Sequence, residues 1–371
     1  MLLNKFNFAI FPLVLGITFQ VGQPFGSRIG FVIVCVLASF SLLILIRDIN
    51  KKITKNEFLL ILFAFANISI YLFNSVEFIG FSRSLLAYLT FFVTYFLFRS
   101  LTIERREKIF TWILVLALLF SILELTSRLQ GLSDLVYLLN SNLHSLKSQS
   151  AYYSDSNGYG IYILCIIMLL ILYILNNELK RRRFFVLGVT ILCLFLMLSL
   201  SRSAIISFFF FLFFIFSCHT KSKLVKYIHF LIMVAAILLL IPKLYEFVLS
   251  DSSGSTRILI FQHTFSEFGS DTISEMFFGL GEGLGKIRFS YEEGAYAHAL
   301  IPLLLGMSGL IGTATYFMFW VILILSERML FLFLGPLFIT GLILLPPYFE
   351  VIYFCLGALL AQKNKEPINN N

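Results

Sequence analysis

Three side chains of this sequence are suited to chemistry at an exposed membrane surface: His298, Arg257 and Arg202. An imidazole gives or takes a proton near neutral pH. A guanidinium holds a phosphate through parallel N–H donors. His298 precedes Pro302, which fits the first turn of a helix because its missing N–H would be unpaired there anyway. The spacing predicts a short helix over 301–307, with His298 just ahead of its N-terminus, a favourable place for an anionic ligand. Arg257 follows the small, flexible run Asp251-Ser252-Ser253-Gly254-Ser255-Thr256 and precedes an apolar-rich stretch, 258–268, that fits an interfacial helix. Arg202 lies in Ser201-Arg202-Ser203, the break between two apolar runs, and Arg83 lies in Phe81-Ser82-Arg83-Ser84. A charge so close to hydrocarbon is costly unless it snorkels or binds something. Each residue also has a plainer reading: a solvated interfacial histidine, a surface charge at Arg257, and snorkelling anchors at Arg202 and Arg83.

Further candidates for substrate contact surround these. Asp155 and Asn157 lie in Tyr153-Ser154-Asp155-Ser156-Asn157-Gly158-Tyr159, where they equally suit helix capping. Arg288 and Glu292 belong to the same long polar stretch as Arg257, which begins near Tyr245. Gly279, Gly281, Gly283 and Gly285 alternate there. They form neither a P-loop nor a dinucleotide fingerprint, and a turn is the expected use.

The elements that must position these residues are membrane helices. Of 371 residues, 59% are hydrophobic and 13% charged, too little polar surface for a soluble fold of this size. Apolar runs of roughly 17–20 residues match the hydrocarbon thickness, and their continuity excludes a membrane β-barrel. Twelve spans are expected, near 6–22, 29–46, 58–76, 82–98, 109–125, 158–175, 184–200, 204–218, 227–244, 308–325, 329–345 and 348–361. The fold class is an all-α polytopic membrane protein forming one transmembrane domain over 1–371. The first span reads as retained rather than as a cleaved signal, because no small-residue cleavage site follows it.

Alternating these spans across the bilayer puts 19 of the 28 Lys and Arg residues on one side and 9 on the other. The richer side is expected to be cytoplasmic, with both termini inside. Two large loops, 126–157 and 245–307, then face outward, as do the turns holding Arg83 and Arg202. The net charge of +8 is mostly this orientation signal, so nucleic acid is not an expected partner. The five cysteines, Cys35, Cys165, Cys193, Cys218 and Cys355, fall in or at the ends of apolar runs without disulfide or zinc spacing. No Asp-x-Asp pair or His/carboxylate cluster suits a metal, and charges are nearly absent from the middle of the spans, which disfavours an ion-coupled transporter.

The order of these motifs resembles the O-antigen polymerase and O-antigen ligase superfamily of bacterial envelope glycosyltransferases. The resemblance is carried by Asp155-Ser156-Asn157-Gly158 before a span, Ser201-Arg202-Ser203-Ala204 opening another, Arg257 early in the long loop, the glycines from Gly279 to Gly285, and His298-x10-Gly309-x2-Gly312. It implies a C-type glycosyltransferase fold with its site facing the periplasm or cell exterior. In ligases the histidine is usually followed by Asn, Ser or Gln; Ala299 stands here, which favours a polymerase.

The resemblance further implies the reaction and its participants. Donor and acceptor would be polyprenyl-diphosphate-linked oligosaccharides, with no cofactor and no metal. Arg202 and Arg257 would clamp the diphosphate and His298 would act as general base, with Arg83, Asp155, Asn157, Arg288 and Glu292 contacting substrate. The setting would be the bacterial inner membrane, with the lipid bilayer, a chain-length regulator and a flippase as further candidate partners. A ligase transferring polymer to a lipid A core is the nearest alternative. A lipid-linked oligosaccharide flippase is the alternative from another class; related halves and charges lining a central cavity would mark it. A scaffolding protein would leave the ordered Arg–Arg–His series without a use.

Overall fold

A computed structural model describes residues 53–74, 78–130, 156–220, 252–290, 297, 299–343 and 345–362. All regular structure among them is helical: α1 (Lys55–Asn74), α2 (Phe78–Arg99), α3 (Ile103–Gln130), α4 (Ser156–Asn176), α5 (Arg182–Leu198), α6 (Arg202–His219), α7 (Ser252–Glu267), a 3₁₀ turn (Phe268–Ser270), α8 (Ile273–Phe278), α9 (Gly281–Ile287), α10 (Leu300–Ser326), α11 (Met329–Ile343) and α12 (Glu350–Leu360). Four of these are long and apolar enough to cross a membrane: Phe81–Arg99 within α2, Ile103–Arg128 within α3, Asn157–Asn176 within α4, and α10. Nine of the twelve expected spans coincide with helices α1–α6 and α10–α12. The spans expected at 6–22, 29–46 and 227–244 lie outside the described residues.

The centre of one group is α4. Every residue from Tyr159 to Leu170 is buried, as expected of a helix that is apolar all round. It packs against α3, α5, α6 and α12. In the other group α2 packs on α12 and α1 on α10. The outer faces are apolar too: Phe65 of α1, Leu119 of α3, Leu187 of α5, Phe209 of α6 and Leu325 of α10 are all exposed. Water would not tolerate such a surface, and lipid does.

One polar network runs through the bundle. Asn67 of α1 donates from Nδ2 to the Gly312 carbonyl at 2.8 Å and to Thr315 Oγ1 at 3.0 Å. Its Oδ1 accepts from the Tyr88 and Tyr348 hydroxyls at 3.2 and 2.7 Å. Tyr348 also lies 3.0 Å from Tyr71 Oη, and Tyr316 donates to the Pro347 carbonyl at 2.9 Å. The network ties α1, α2 and α10 to the turn before α12.

Pairs at the helix ends sort into two sets. Arg99 meets Glu57, Lys180 meets Glu104, and the Arg181 N–H donates to Glu107. At the opposite ends of those helices, Arg83 meets Glu282 and Arg128 meets Glu124. Residues expected on one side of a bilayer therefore pair with one another, with each pair drawn from a single set.

Candidate functional site

The polar segment forms three short helices and a turn laid against α10. Thr272 starts α8 with a reciprocal cap: the Glu275 N–H donates to Thr272 Oγ1 and the Thr272 N–H donates to Glu275 Oε2. Those Thr272 donors hold the Glu275 carboxyl below the usual carboxylate range. Gly279 then ends α8 at φ 77°, a left-handed conformation that glycine enters without steric cost.

The alternating glycines do make the turn between α8 and α9. Two of them, Gly279 and Gly285, also let two backbones touch. α10 runs from Leu300 to Ser326 but breaks at Gly309, whose φ is 61°. The predicted short helix over 301–307 and the span at 308–325 are thus one helix interrupted at that point. A Cβ on Gly279 would lie 2.6 Å from the Gly309 nitrogen, and one on Gly309 would strike the Phe277 carbonyl. Gly285 and Gly306 meet in the same way. The break frees the Gly306 carbonyl from its partner in the helix, and the Leu280 N–H takes it at 2.8 Å. Leaving that carbonyl unpaired in an apolar setting would cost several kcal/mol, on the order of a lost buried hydrogen bond.

This docking brings Glu282 of α9 beneath Arg83 of α2. Glu282 is almost fully buried and accepts from Arg83 Nη1 at 2.6 Å and from Lys286 Nζ. Arg83 keeps 55% of its side chain exposed. Glu350, at the start of α12, is close enough for Arg83 to attract and Glu282 to repel its carboxylate. Sequence reasoning named Arg83 but missed Glu282 and Lys286 as its company; the only sequence signal was their i,i+4 spacing on a helix.

A second cluster joins two motifs that are far apart in sequence. Asn157, at the start of α4, accepts from Ser201 Oγ at 3.3 Å, and Ser201 immediately precedes Arg202 at the start of α6. Leu200 in the same turn has φ 57° and is the one non-glycine residue with positive φ among the described residues. Such a conformation costs on the order of 1–3 kcal/mol and persists only where its surroundings impose it. Arg128 helps impose it, with Nη1 3.4 Å from the Ser199 carbonyl, its guanidinium over the Tyr159 ring, and two donors on Glu124. The result is a tight turn that holds the exposed Arg202 side chain at the helix start. The Glu124–Arg128 pair was missed from sequence, where Arg128 counted only as an outward charge.

The other candidates are placed as follows. Arg288 is bound within the protein: Nε donates to Asp271 at 2.9 Å, Glu267 lies at 3.6 Å, and the guanidinium stacks on Phe289. Arg257 falls in the first half of α7, and its side chain lies outside the described residues. The run 252–256 read as flexible is the first turn of that helix, where serine and glycine cost least. His298, Asp155 and Glu292 lie outside the described residues. The chain on either side of 298 is fixed, since the Ala297 N–H donates to the Lys286 carbonyl at 2.8 Å and Ala299 caps α10. Among the described residues no group of three metal-ligating side chains converges.

No protein-family model matches this chain, and no curated protein matches it.

Proposed function

We propose that this chain is a polymerase of lipid-linked oligosaccharide repeat units, working on the outer face of a bacterial inner membrane. One observation carries the reading: the polar segment is docked on the end of the bundle through glycine backbones, so that Arg83, more than half exposed, stands over it with Lys286 sharing its carboxylate. The exposed part of the Arg83 side chain, anchored on Glu282 with Glu350 nearby, offers guanidinium surface to an incoming anion of diphosphate character. Arg202 supports the same reading. Its exposed side chain lies at the first residue of α6, and a helix N-terminus is a favourable place for an anion.

The reaction forms a bond between an acceptor sugar oxygen and the anomeric carbon of the donor glycan, and breaks the bond from that carbon to the diphosphate oxygen. The electron pair of the broken bond leaves with polyprenyl diphosphate. Arg202 and Arg257 stabilise that charge, and His298 takes the proton of the acceptor hydroxyl. Diphosphate is a good leaving group, so electrostatic stabilisation is the main requirement, and removing one such contact typically costs about 10²–10³ in rate.

The test uses the purified full-length chain and defined polyprenyl-diphosphate repeat units without a lipid A core. A ladder of lengthened, lipid-linked chains is the expected result. Product that forms only after a lipid A core acceptor is added overturns the polymerase reading in favour of a ligase.

A further inference from the structure

A basic groove lies at the end of the bundle opposite Arg83, apart from the site above. It is lined by residues 180–183 together with Phe184, Val186, Leu187 and Thr190, and has a volume of about 790 Å³. That falls in the range of roughly 300–1,000 Å³ typical of small-molecule sites. Four consecutive cations, Lys180 to Arg183, form its charged end. Lys180 is engaged by Glu104 at 2.6 Å. Among the described residues, no ion pair engages Arg181, Arg182 or Arg183, and all three side chains are exposed.

The groove continues from charge into hydrocarbon-like surface. Phe184 is 42% and Leu187 62% exposed, and Ile191, Leu194 and Leu198 carry the same apolar exposure up α5. The opposite face of α5, with Phe185, Val189, Leu192 and Leu196, is buried in the bundle. The outward face therefore has a cationic base and an apolar wall one helix long. Over the 16 residues from 183 to 198 it rises roughly 24 Å at about 1.5 Å per residue, comparable with one leaflet of a bilayer and more.

We infer that this groove is a binding site for an anionic glycerophospholipid, with its phosphate on Arg181–Arg183 and an acyl chain along Phe184, Leu187 and Ile191. Charge complementarity selects the headgroup, because a zwitterionic lipid carries its own ammonium into the same cationic cluster. The apolar wall selects a lipid over a soluble phosphate, which would leave Phe184 and Leu187 uncovered.

The experiment is native mass spectrometry of the full chain released from detergent with equimolar phosphatidylglycerol and phosphatidylcholine. Wild type is expected to retain phosphatidylglycerol in preference to phosphatidylcholine. Each cation that seats the headgroup phosphate contributes about a factor of five, taking the ~1 kcal/mol of a Lys or Arg at an anionic surface, so Arg181→Gln/Arg182→Gln/Arg183→Gln should retain phosphatidylglycerol on the order of a hundred-fold more weakly. A charge-matched control at the same end, Lys55→Gln/Arg105→Gln/Lys108→Gln, should retain it nearly as wild type does. Equal losses in the two triple variants overturn the site. So does wild-type retention that ignores headgroup charge; this arm needs no variant to fold. Glycan ladder formation is scored separately, so the outcome here is independent of the polymerase reading.

Discussion

Glu124 holds Arg128 one helical turn further along α3, accepting Nε at 2.9 Å and Nη2 at 2.8 Å, with 1% and 6% of the two side chains exposed. A pair so enclosed is asymmetric in its consequences. Removing one partner strands a charge, whereas neutralising both removes the problem along with the contact. Arg128→Ala should therefore destabilise the protein by about 3–5 kcal/mol, and Glu124→Gln/Arg128→Gln by clearly less. Thermal unfolding in detergent measures both. A single variant as stable as wild type would show that the carboxylate finds water when the arginine leaves.

The glycine contacts predict a steep intolerance of the smallest side chain. Gly309→Ala and Gly279→Ala each combine a positive φ with a backbone atom in the path of the new Cβ. Each should cost more than the ~1 kcal/mol of an ordinary conformational penalty. Gly269→Ala, where no atom lies within 4 Å of the added Cβ, is the control and should remain near wild type. Folded yield and melting temperature decide the comparison. Equal stability of Gly309→Ala and Gly269→Ala would mean that α8 and α9 do not rest on α10 as described.

Site variants test the chemistry. His298→Ala, Arg257→Ala and Arg202→Ala should each lower polymer formation by about 10²-fold or more while protein level and insertion stay normal. Lysine at either arginine position should rescue only in part, since an ammonium lacks the planar fork. Arg83→Gln should cost under ~1 kcal/mol in stability, because the guanidinium is more than half exposed and Lys286 still serves Glu282, yet it should weaken donor binding. Full activity of His298→Ala removes the general base, and full activity of both other arginine variants removes the clamp.

Sidedness is checked by impermeant thiol labelling in intact cells or spheroplasts. With the exposed Cys218 replaced by serine, Ser253→Cys should label and Asn369→Cys should not. The reverse pattern would invert the orientation derived from the basic residues.

Much of the helical layout was readable from composition, because an apolar run of span length has few alternatives in lipid. The start of α10 was also readable, since Pro302 fixes a first turn. The break at Gly309 was visible only as two glycines three apart; what it serves depends on residues 277–285, which no local signal links to 306–309. The run 252–256 was misread because serine and glycine suit loops and helix starts equally. Glu124 escaped notice because an i,i+4 acid–base pair usually marks a wet surface, and only the packing of Tyr159 and Ser199 around it shows that the surface is dry. Asn157 was legible as a cap and Ser201 as part of a break between two apolar runs, and their meeting was not.

Asn67 sets a constraint on how the protein is made. Its amide lies in the middle of an apolar helix, yet Gly312, Thr315 and Tyr348, which receive or supply most of its hydrogen bonds, follow it by 245, 248 and 281 residues. During synthesis only Tyr88 of the four partners follows α1 closely. A ribosome adds roughly 5–20 residues per second, so the amide waits many seconds for the other three. A chain truncated before residue 312 therefore leaves that amide with Tyr88 alone of its four partners, and the bundle closes on Asn67 only when its last helices are in place.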